Sequence, residues 1–538
     1  MDSGLLAEVR AWIEDDPDPV TAEQLNALIK SNDETTLRRY FSGFLQFGTA
    51  GLRGPLSPGP SGMNQAVVGR TASGIVQYMK SRSLTSVVIG RDARHGSDVF
   101  EDLSAQIFAG AGFSVSVLPR PLPTPVLAFA VNELGADAGI MVTASHNPGS
   151  DNGYKVYLGG TVDGVNYRGS QIISPADREI SAEIEKIVSL RSIPRARTWK
   201  ILGEDIVEKY VVRTKVLAPR PGELKIVYTA MHGVGTKTLQ RVFHRAGFPS
   251  LILVQAQAQP DPDFPTLVFP NPEEIGALDL AFETARTFDA DLVIANDPDA
   301  DRCSIAIKER DSTWRALRGD EIGAILGESI ARNTKSGTLA NSIVSSSILS
   351  KIAARHGLNF HETLTGFKYI AKIPHLTFGY EEAIGFCVDA ESVNDKDGIS
   401  AALSLAQIAT DLHAENKTLL DFMDEIWEIY GFHATEQISI RVADIASIRA
   451  TMSKLRAHPL SEISGFKVLS LDDLSIPRNE LPPTDGLRFM LENNIRIIIR
   501  PSGTEPKIKC YVEIVTSDKS IAHSLLEQLR PSLRELLS

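Results

Sequence analysis

Three carboxylates fall within five residues in NDPDADR (296–302): Asp297, Asp299 and Asp301. At that spacing their charges repel. A hard divalent cation with oxygen ligands, Mg2+ above all, relieves the repulsion. A solvated acidic loop is the alternative. An EF-hand is not, because its sixth position would be Arg302 instead of Gly and its twelfth Lys308 instead of Glu. The apolar run DLVIA precedes the loop and reads as a strand. The carboxylates therefore belong at a strand's carboxyl end, where open α/β sheets bind ligands.

A second loop, TASHNP (143–148), follows the apolar run AGIMV and sets the Ser145 hydroxyl beside the His146 imidazole. Adjacent side chains do not face each other as nucleophile and base, so the pair is no triad. On the residues alone Ser145 is open to three roles: nucleophile, phosphate carrier, or turn serine before Asn-Pro. His146 reads as its local hydrogen-bond partner. In RPSGTEPK (500–507), Arg500 offers a planar fork, Ser502 and Thr504 offer hydroxyls, and Gly503 lets backbone N–H groups approach. That is either a phosphate cradle or a tight turn between strands. GYEEAIGF (379–386) sets Glu381 and Glu382 beside glycines, where they can accept hydrogen bonds from sugar hydroxyls or simply form a surface turn. FGTAGLRG (47–54) puts Arg53 on a Gly-rich loop. HGVG (232–235) lacks the GxGxxG pattern and reads as a structural turn.

The elements that must position these loops are legible as patterns. Residues 1 to about 40 are helical in spacing, with a capping-box-like TAEQ from Thr21 to Gln24. From about residue 85, short β-rich runs (TSVVIGRD, FSVSVLP, ADAGIMV) alternate with helical segments, which predicts mostly parallel α/β sheets. The same grammar returns at LKIVYTAMHGVG, at DADLVIANDPDADR, and from GDEIGAILGESIARN to FGYEEAIGF. The last hundred residues differ: HATEQISIRV, GFKVLSL, IRIIIR and KIKCYVEIV are strands, and SIAHSLLEQLRPSLRELL closes the chain as a helix. NELPPTDG is a surface loop.

Composition removes several classes. A chain of 538 residues suits three to five domains. With 43% hydrophobic residues it can build ordinary cores. No apolar run reaches the roughly 18 residues of a membrane span. The acidic N-terminus lacks the form of a secretory signal. Three scattered cysteines, Cys303, Cys387 and Cys510, exclude a disulfide framework or a cysteine zinc site, and a cytoplasmic location is expected. A net charge of −12 argues against nucleic acid as partner.

In chain order FGTAGLRG, TASHNP with DNGYK, NDPDADR, GYEEAIGF and RPSGTEP resemble the α-D-phosphohexomutase superfamily, the phosphoglucomutase/phosphomannomutase family, from about residue 40 to the end. The resemblance implies an α/β fold: three related mixed-sheet α/β domains plus a C-terminal TBP-like α+β domain around a central cleft. The corresponding segments are a helical extension (1–40), α/β domains over 41–205, 206–318 and 319–432, and the α+β domain over 433–538. It implies that Ser145 is the phosphoserine and a metal ligand together with Asp297, Asp299 and Asp301. Arg302 matches an arginine beside that phosphate, and Arg53 an active-site arginine. Lys155 (in DNGYK) and Lys396 (in NDKDG) match acid/base candidates, with His146 beside the serine. Glu381, Glu382 and Lys368 (in TGFKYI) fall to substrate binding, and Arg500, Ser502, Gly503 and Thr504 to the grip on the substrate's phosphate. The implied reaction moves phosphate between the 1- and 6-positions of a hexose phosphate. It uses Mg2+, a sugar 1,6-bisphosphate as activator, and a protein that is a monomer or homodimer. Phosphopentomutase and sugar bisphosphate synthase are the near alternatives, and a metal-dependent sugar phosphatase the distant one.

Two departures stand out. The family's sugar loop reads GE-x-S, and here Ala383 replaces its serine. The wording GYEEAIGF, TGFKYI and DNGYKVY instead resembles the branch that includes phosphopentomutases. The stretch LGGTVDGVNYRGSQIISP (158–175) is longer than the family pattern requires, and the sequence offers no account of it.

Overall fold

Runs such as SVVIGR and AGIMV are apolar at nearly every position, as strands covered on both faces must be. Both become central strands of the first sheet. The computed structural model describes residues 1–46, 51–441, 445–477, 481–501 and 507–537. In the first sheet, Ser86–Arg91 runs parallel to Ser114–Val117 and Ala138–Val142. The chain then turns back, so that Asp151–Leu158 is antiparallel to Ala138–Val142, and Leu52–Pro55 pairs antiparallel beyond it. The reversal between Val142 and Asp151 is the TASHNP loop.

The second sheet repeats the device. Leu292–Asn296 lies parallel to Ile226–Thr229 and is followed by the antiparallel Cys303–Lys308. The reversal between them is the NDPDADR loop. In a third sheet Asn359–Thr363, Thr338–Ser342 and Leu376–Glu381 are parallel, and the GYEEAIGF loop leaves the carboxyl end of the last. The C-terminal domain is a six-stranded antiparallel sheet in the spatial order 432–441, 507–516, 495–501, 487–491, 466–473, 462–463. Helix Lys519–Leu537 lays Ala522, Leu526, Leu529, Leu533 and Leu537 on it at helical spacing, with Pro531 inside the helix. These elements form three α/β domains and a C-terminal α+β domain.

The chain divides into two compact units, Met1–Leu317 with Gly385–Thr410 and Arg318–Ile384 with Asp411–Ser538. The first unit thus takes in NDKDG, which follows the third sheet in the sequence. Its N-terminal helices (3–15, 19–30 and 34–40) bury Leu5, Val9, Trp12, Leu25 and Leu37 in the same core as the first sheet.

Three local expectations need correction. Thr21 does not open a helix: Asp18 caps it, with Pro19 pre-set at the first turn, and Thr21 donates back to Asp16 and Asp18. Arg53 sits on strand Leu52–Pro55 opposite Gly153, because the edge of the first sheet pairs this segment. Strands Trp314–Ala316 and Leu487–Leu491 are additional to those the sequence predicted. The long stretch after Leu158 folds as a small hairpin, Thr161–Val162 with Val165–Asn166, followed by Ser170–Gln171, which pairs with Asp151–Leu158.

A buried ion pair ties the C-terminal sheet together. Arg496 reaches Glu513 at 2.9 Å, and Glu513 also accepts hydrogen bonds from Ser346 Oγ (2.6 Å) and the Ser347 N–H (2.8 Å). Burial opposes the charge on Glu513, but Arg496 and His433 outweigh it and hold the carboxyl well below its usual range. A carboxylate with a depressed folded pKa stabilises above its unfolded value and loses that contribution as pH falls. Unfolding in urea should therefore show stability dropping as pH is lowered from about 5, with a shallower drop in Glu513→Gln. At neutral pH Arg496→Leu should cost about 3–5 kcal/mol by stranding the carboxylate. A cost under about 1 kcal/mol would mean that water or His433 compensates it.

Candidate active site

The acidic loop is buried, not solvated. Asp297, Asp299 and Asp301 are each at most 1% exposed, and their carboxylate oxygens lie within 4.8 Å of one another. Local sequence forces this crowding. Asn296 spans the loop, taking the Tyr228 hydroxyl on its Oδ1 (3.0 Å) and giving its Nδ2 to the Arg302 carbonyl (2.6 Å). The Ala300 N–H closes a turn onto the Asp297 carbonyl at 2.8 Å. The HGVG turn packs beneath: the Val234 N–H reaches the Pro298 carbonyl at 2.8 Å, and a Cβ on Gly233 would meet Pro298 at 2.3 Å. The structural reading of HGVG is thereby explained.

Two lysines answer the charge. Lys155 Nζ donates to Asp299 Oδ2 and Asp301 Oδ2, both at 2.7 Å. Lys396 Nζ lies 3.4 Å from Asp301 Oδ2. Burial alone would raise the Asp301 pKa, yet Lys155, Lys396 and Arg302 together hold it well below the usual range. Lys155 is likewise desolvated, but Asp299 and Asp301 raise its pKa. Burial and its two neighbouring carboxylates push Asp297 well above the carboxylate range.

Among the described residues, Asp299 Oδ1 and Asp301 Oδ1 are buried and accept no hydrogen bond. Buried acceptors of this kind cost free energy unless something fills them. Three oxygen donors with two open acceptors fit a hard cation such as Mg2+.

Ser145 meets this cluster directly. It is 2% exposed, adopts φ 52°, and donates its Oγ to Asp297 Oδ2 at 2.6 Å. His146 Nδ1 lies 3.2 Å from the same Oγ. Burial, then Arg302 and Arg53, lower the His146 pKa well below its ordinary value, so the ring is neutral near pH 7. The left-handed backbone at a non-glycine residue costs free energy and needs support. Arg94, in RDARHG, supplies it. Its Nη2 donates to the carbonyls of Ser145 and Asn147 (both 2.6 Å), and its Nη1 to those of Pro148 (2.6 Å) and Asp151 (3.1 Å). Asp92 orients the clamp, lying 3.3 Å from Arg94 Nε and accepting the Thr143 hydroxyl at 2.7 Å. Sequence reasoning passed over Asp92 and Arg94. The signal was there: two charged residues directly after the central strand Ser86–Arg91.

The remaining residues divide by unit. Arg53 donates to Asn147 Oδ1 at 2.9 Å, and the Arg302 N–H to Asp297 Oδ1 at 3.0 Å. Gly398 lets NDKDG approach, since a Cβ there would come within 2.2 Å of the Arg302 carbonyl. Ser145, His146, Lys155, Arg53, the three aspartates, Arg302 and Lys396 thus form one constellation. Lys368, Glu381, Glu382 and Arg500 lie in the second unit. There Glu382 accepts the hydroxyls of Ser342 (2.9 Å) and Ser345 (3.3 Å). Lys368 Nζ stands 5.5 Å from the Tyr369 ring. Ser502, Gly503 and Thr504 lie outside the described residues.

Known proteins match this chain along its length. The models of the phosphoglucomutase/phosphomannomutase family match as α/β/α domain I over residues 45–191, domain II over 205–310, domain III over 318–430 and the C-terminal domain over 438–531. A protein of Haemophilus influenzae described as probable phosphomannomutase is 45% identical over 483 residues, covering 88% of this chain and 98% of its own. The phosphopentomutase of Mus musculus is 34% identical over 598 residues, covering 100% of this chain and 94% of its own. A phosphoglucomutase/phosphomannomutase family protein from Burkholderia thailandensis shares the fold, with a TM-score of 0.71 at 18% identity over 91% of this chain and 97% of that one. The chain belongs to the phosphoglucomutase/phosphomannomutase family. No helix among the described residues is long and apolar enough to cross a membrane.

The metal reading can be tested apart from turnover. Asp299→Asn should weaken Mg2+ binding at least about tenfold in calorimetric titration. Unchanged affinity would place the ion elsewhere.

Proposed function

We propose that this member of the phosphoglucomutase/phosphomannomutase family interconverts hexose 1-phosphate and hexose 6-phosphate through a phosphorylated Ser145. The observation that carries the reading is the buried Ser145 Oγ held 2.6 Å from Asp297 within an acidic, cation-fitting cluster. Phosphoryl transfer needs positioning and charge stabilisation more than a strong covalent catalyst, and this constellation supplies both.

Phospho-Ser145 gives its phosphoryl group to the free hydroxyl of a sugar monophosphate. The bond from phosphorus to Oγ breaks as the bond to the sugar oxygen forms, and the hydroxyl proton passes to a nearby base. The bisphosphate then turns over within the enzyme. Its other phosphorus–sugar oxygen bond breaks as Ser145 Oγ, giving up its proton, takes that phosphoryl group, and the freed sugar oxygen takes a proton. Asp297, Asp299, Asp301 and the serine phosphate would hold Mg2+, which when bound would supply charge neutralisation. Arg302 and Arg53 add fixed positive charge beside Ser145. Lys155 and Lys396 are the acid/base groups of this reading, each held against Asp301. Arg94 keeps the serine loop in its strained conformation. Arg500, Ser502, Gly503 and Thr504 grip the phosphate that is not reacting. Glu381 takes sugar hydroxyls, with Lys368 beside the substrate. Glu382, pinned by Ser342 and Ser345, fixes the loop that carries Glu381. A sugar 1,6-bisphosphate primes the serine.

A second reading rests on Ala383, which removes one hydroxyl contact from the sugar loop, and on the full-length similarity to phosphopentomutases. Lost hydrogen bonds are strong levers on substrate choice. Two measurements decide. Ser145→Ala should lower mutase turnover by roughly a thousandfold or more, about 4 kcal/mol; near-wild-type turnover would remove the phosphoserine. Glucose 1-phosphate and ribose 1-phosphate should be compared as kcat/KM with Mg2+ and glucose 1,6-bisphosphate. The hexose reading expects glucose to lead. A tenfold lead for ribose, about 1.4 kcal/mol of transition-state preference, makes the enzyme a phosphopentomutase.

A further inference from the structure

The stretch from Leu158 to Pro175, for which the sequence offered no purpose, ends against NDKDG. Ser170–Gln171 pairs with Leu158 and Tyr157 on the edge of the first sheet. From there Gln171, 6% exposed, donates its Nε2 to Asp395 Oδ2 at 3.0 Å. The Tyr157 hydroxyl, 3.4 Å from the same Nε2, backs the amide. A second tether runs the other way: Asn394 Nδ2 donates to the Tyr167 carbonyl at 3.0 Å. Two consecutive residues of NDKDG are therefore seated on this one segment.

The next residue is Lys396. Its N–H donates to Asp395 Oδ1 at 2.8 Å, and its Nζ lies 3.6 Å from the same oxygen and 3.4 Å from Asp301 Oδ2. Asp395, 1% exposed, is thus a two-sided group. One oxygen is fixed by Gln171, the other faces the lysine. With Oδ2 taken, the carboxylate cannot rotate away from Lys396, and Lys396 stands between Asp395 and the acidic loop.

We propose that Gln171 and Asp395 form a positioning pair that holds the Lys396 ammonium at the reacting centre, and that the 158–175 segment exists to carry it. This rests on the reading of Lys396 as an acid/base group. Gln171 reaches Asp395, and Asp395 reaches Lys396. Their effect passes through the lysine and falls on the chemical step, not on sugar binding.

The test is a set of variants in the full chain with Mg2+, glucose 1-phosphate and glucose 1,6-bisphosphate: Gln171→Met, Asp395→Asn, Lys396→Met, and Gln171→Met combined with Lys396→Met. Gln171→Met keeps the volume and removes the hydrogen bond. It should lower kcat about tenfold, the scale seen when outer-shell partners are removed, with KM changed by less than about twofold. Asp395→Asn should do the same or more. On the Lys396→Met background, Gln171→Met should have no further effect on kcat. If Gln171→Met does not fold, Gln171→Asn, too short to reach Asp395, replaces it. Wild-type kcat in the Gln171 variant, a change confined to KM, or a further fall on the Lys396→Met background would each overturn the positioning pair. The failures separate cleanly. If Lys396→Met is impaired and Gln171→Met is not, only the pair is wrong. If Lys396→Met turns over like wild type, the acid/base reading of Lys396 falls and the pair with it.

Discussion

Carboxylate repulsion at the Asp297–Asp301 loop is the constraint around which the first unit is arranged. Three buried acidic side chains with oxygens within 4.8 Å of one another cannot all ionise unpaired. Each neighbour answers part of that charge. Lys155 bridges Asp299 and Asp301, Lys396 flanks Asp301, and the Thr124 hydroxyl reaches Asp299 at 2.6 Å. Ser145 donates to Asp297 at 2.6 Å. A hard cation held by the three aspartates would complete the balance. The same field that makes the cluster costly to build makes it suited to phosphoryl transfer, where negative charge must be gathered and then moved.

The backbone solves the delivery problem once and reuses it. In each α/β domain a parallel strand ends and a loop leaves its carboxyl edge. In the first two the chain returns antiparallel on the same sheet, which keeps the loop short and its ends fixed. Short fixed ends explain why strained conformations persist there. Ser145 and Ala300 both have positive φ (52° and 54°), and both are over-determined by contacts to a neighbouring element. Arg94 holds four carbonyls of the serine loop, and the Gly398 N–H holds the Ala300 carbonyl of the acidic loop at 3.2 Å.

Substrate choice is a separate matter from reaction type. The groups proposed to transfer phosphate lie in one unit, and the groups assigned to sugar and distal phosphate lie in the other. In that second unit a buried network of Glu513, Arg496, Ser346 and His433 links strands of the C-terminal sheet to the loop before helix Ile348–His356. Ser345 in that loop meets Glu382. Ala383 therefore sits in a loop whose shape is set by buried polar contacts, so the loss of its hydroxyl need not deform the rest.

The sequence by itself determined the chemistry-bearing loops and the kind of fold, because both are local. Three aspartates in five residues, a serine after a buried strand and the alternation of apolar runs are readable without a third dimension. It also determined the reaction type, through five loops appearing in one order. Tertiary structure alone decided which residues meet. Lys155 and Asp301 are joined by a hydrogen bond across 146 positions, Ser145 and Asp297 across 152, and Gln171 and Asp395 across 224. No periodicity or spacing encodes such pairs, since they follow from how separate sheets pack. For the same reason Arg94 went unremarked until its four carbonyl partners were in place, and the 158–175 stretch had no purpose until it was seen to end at Asp395.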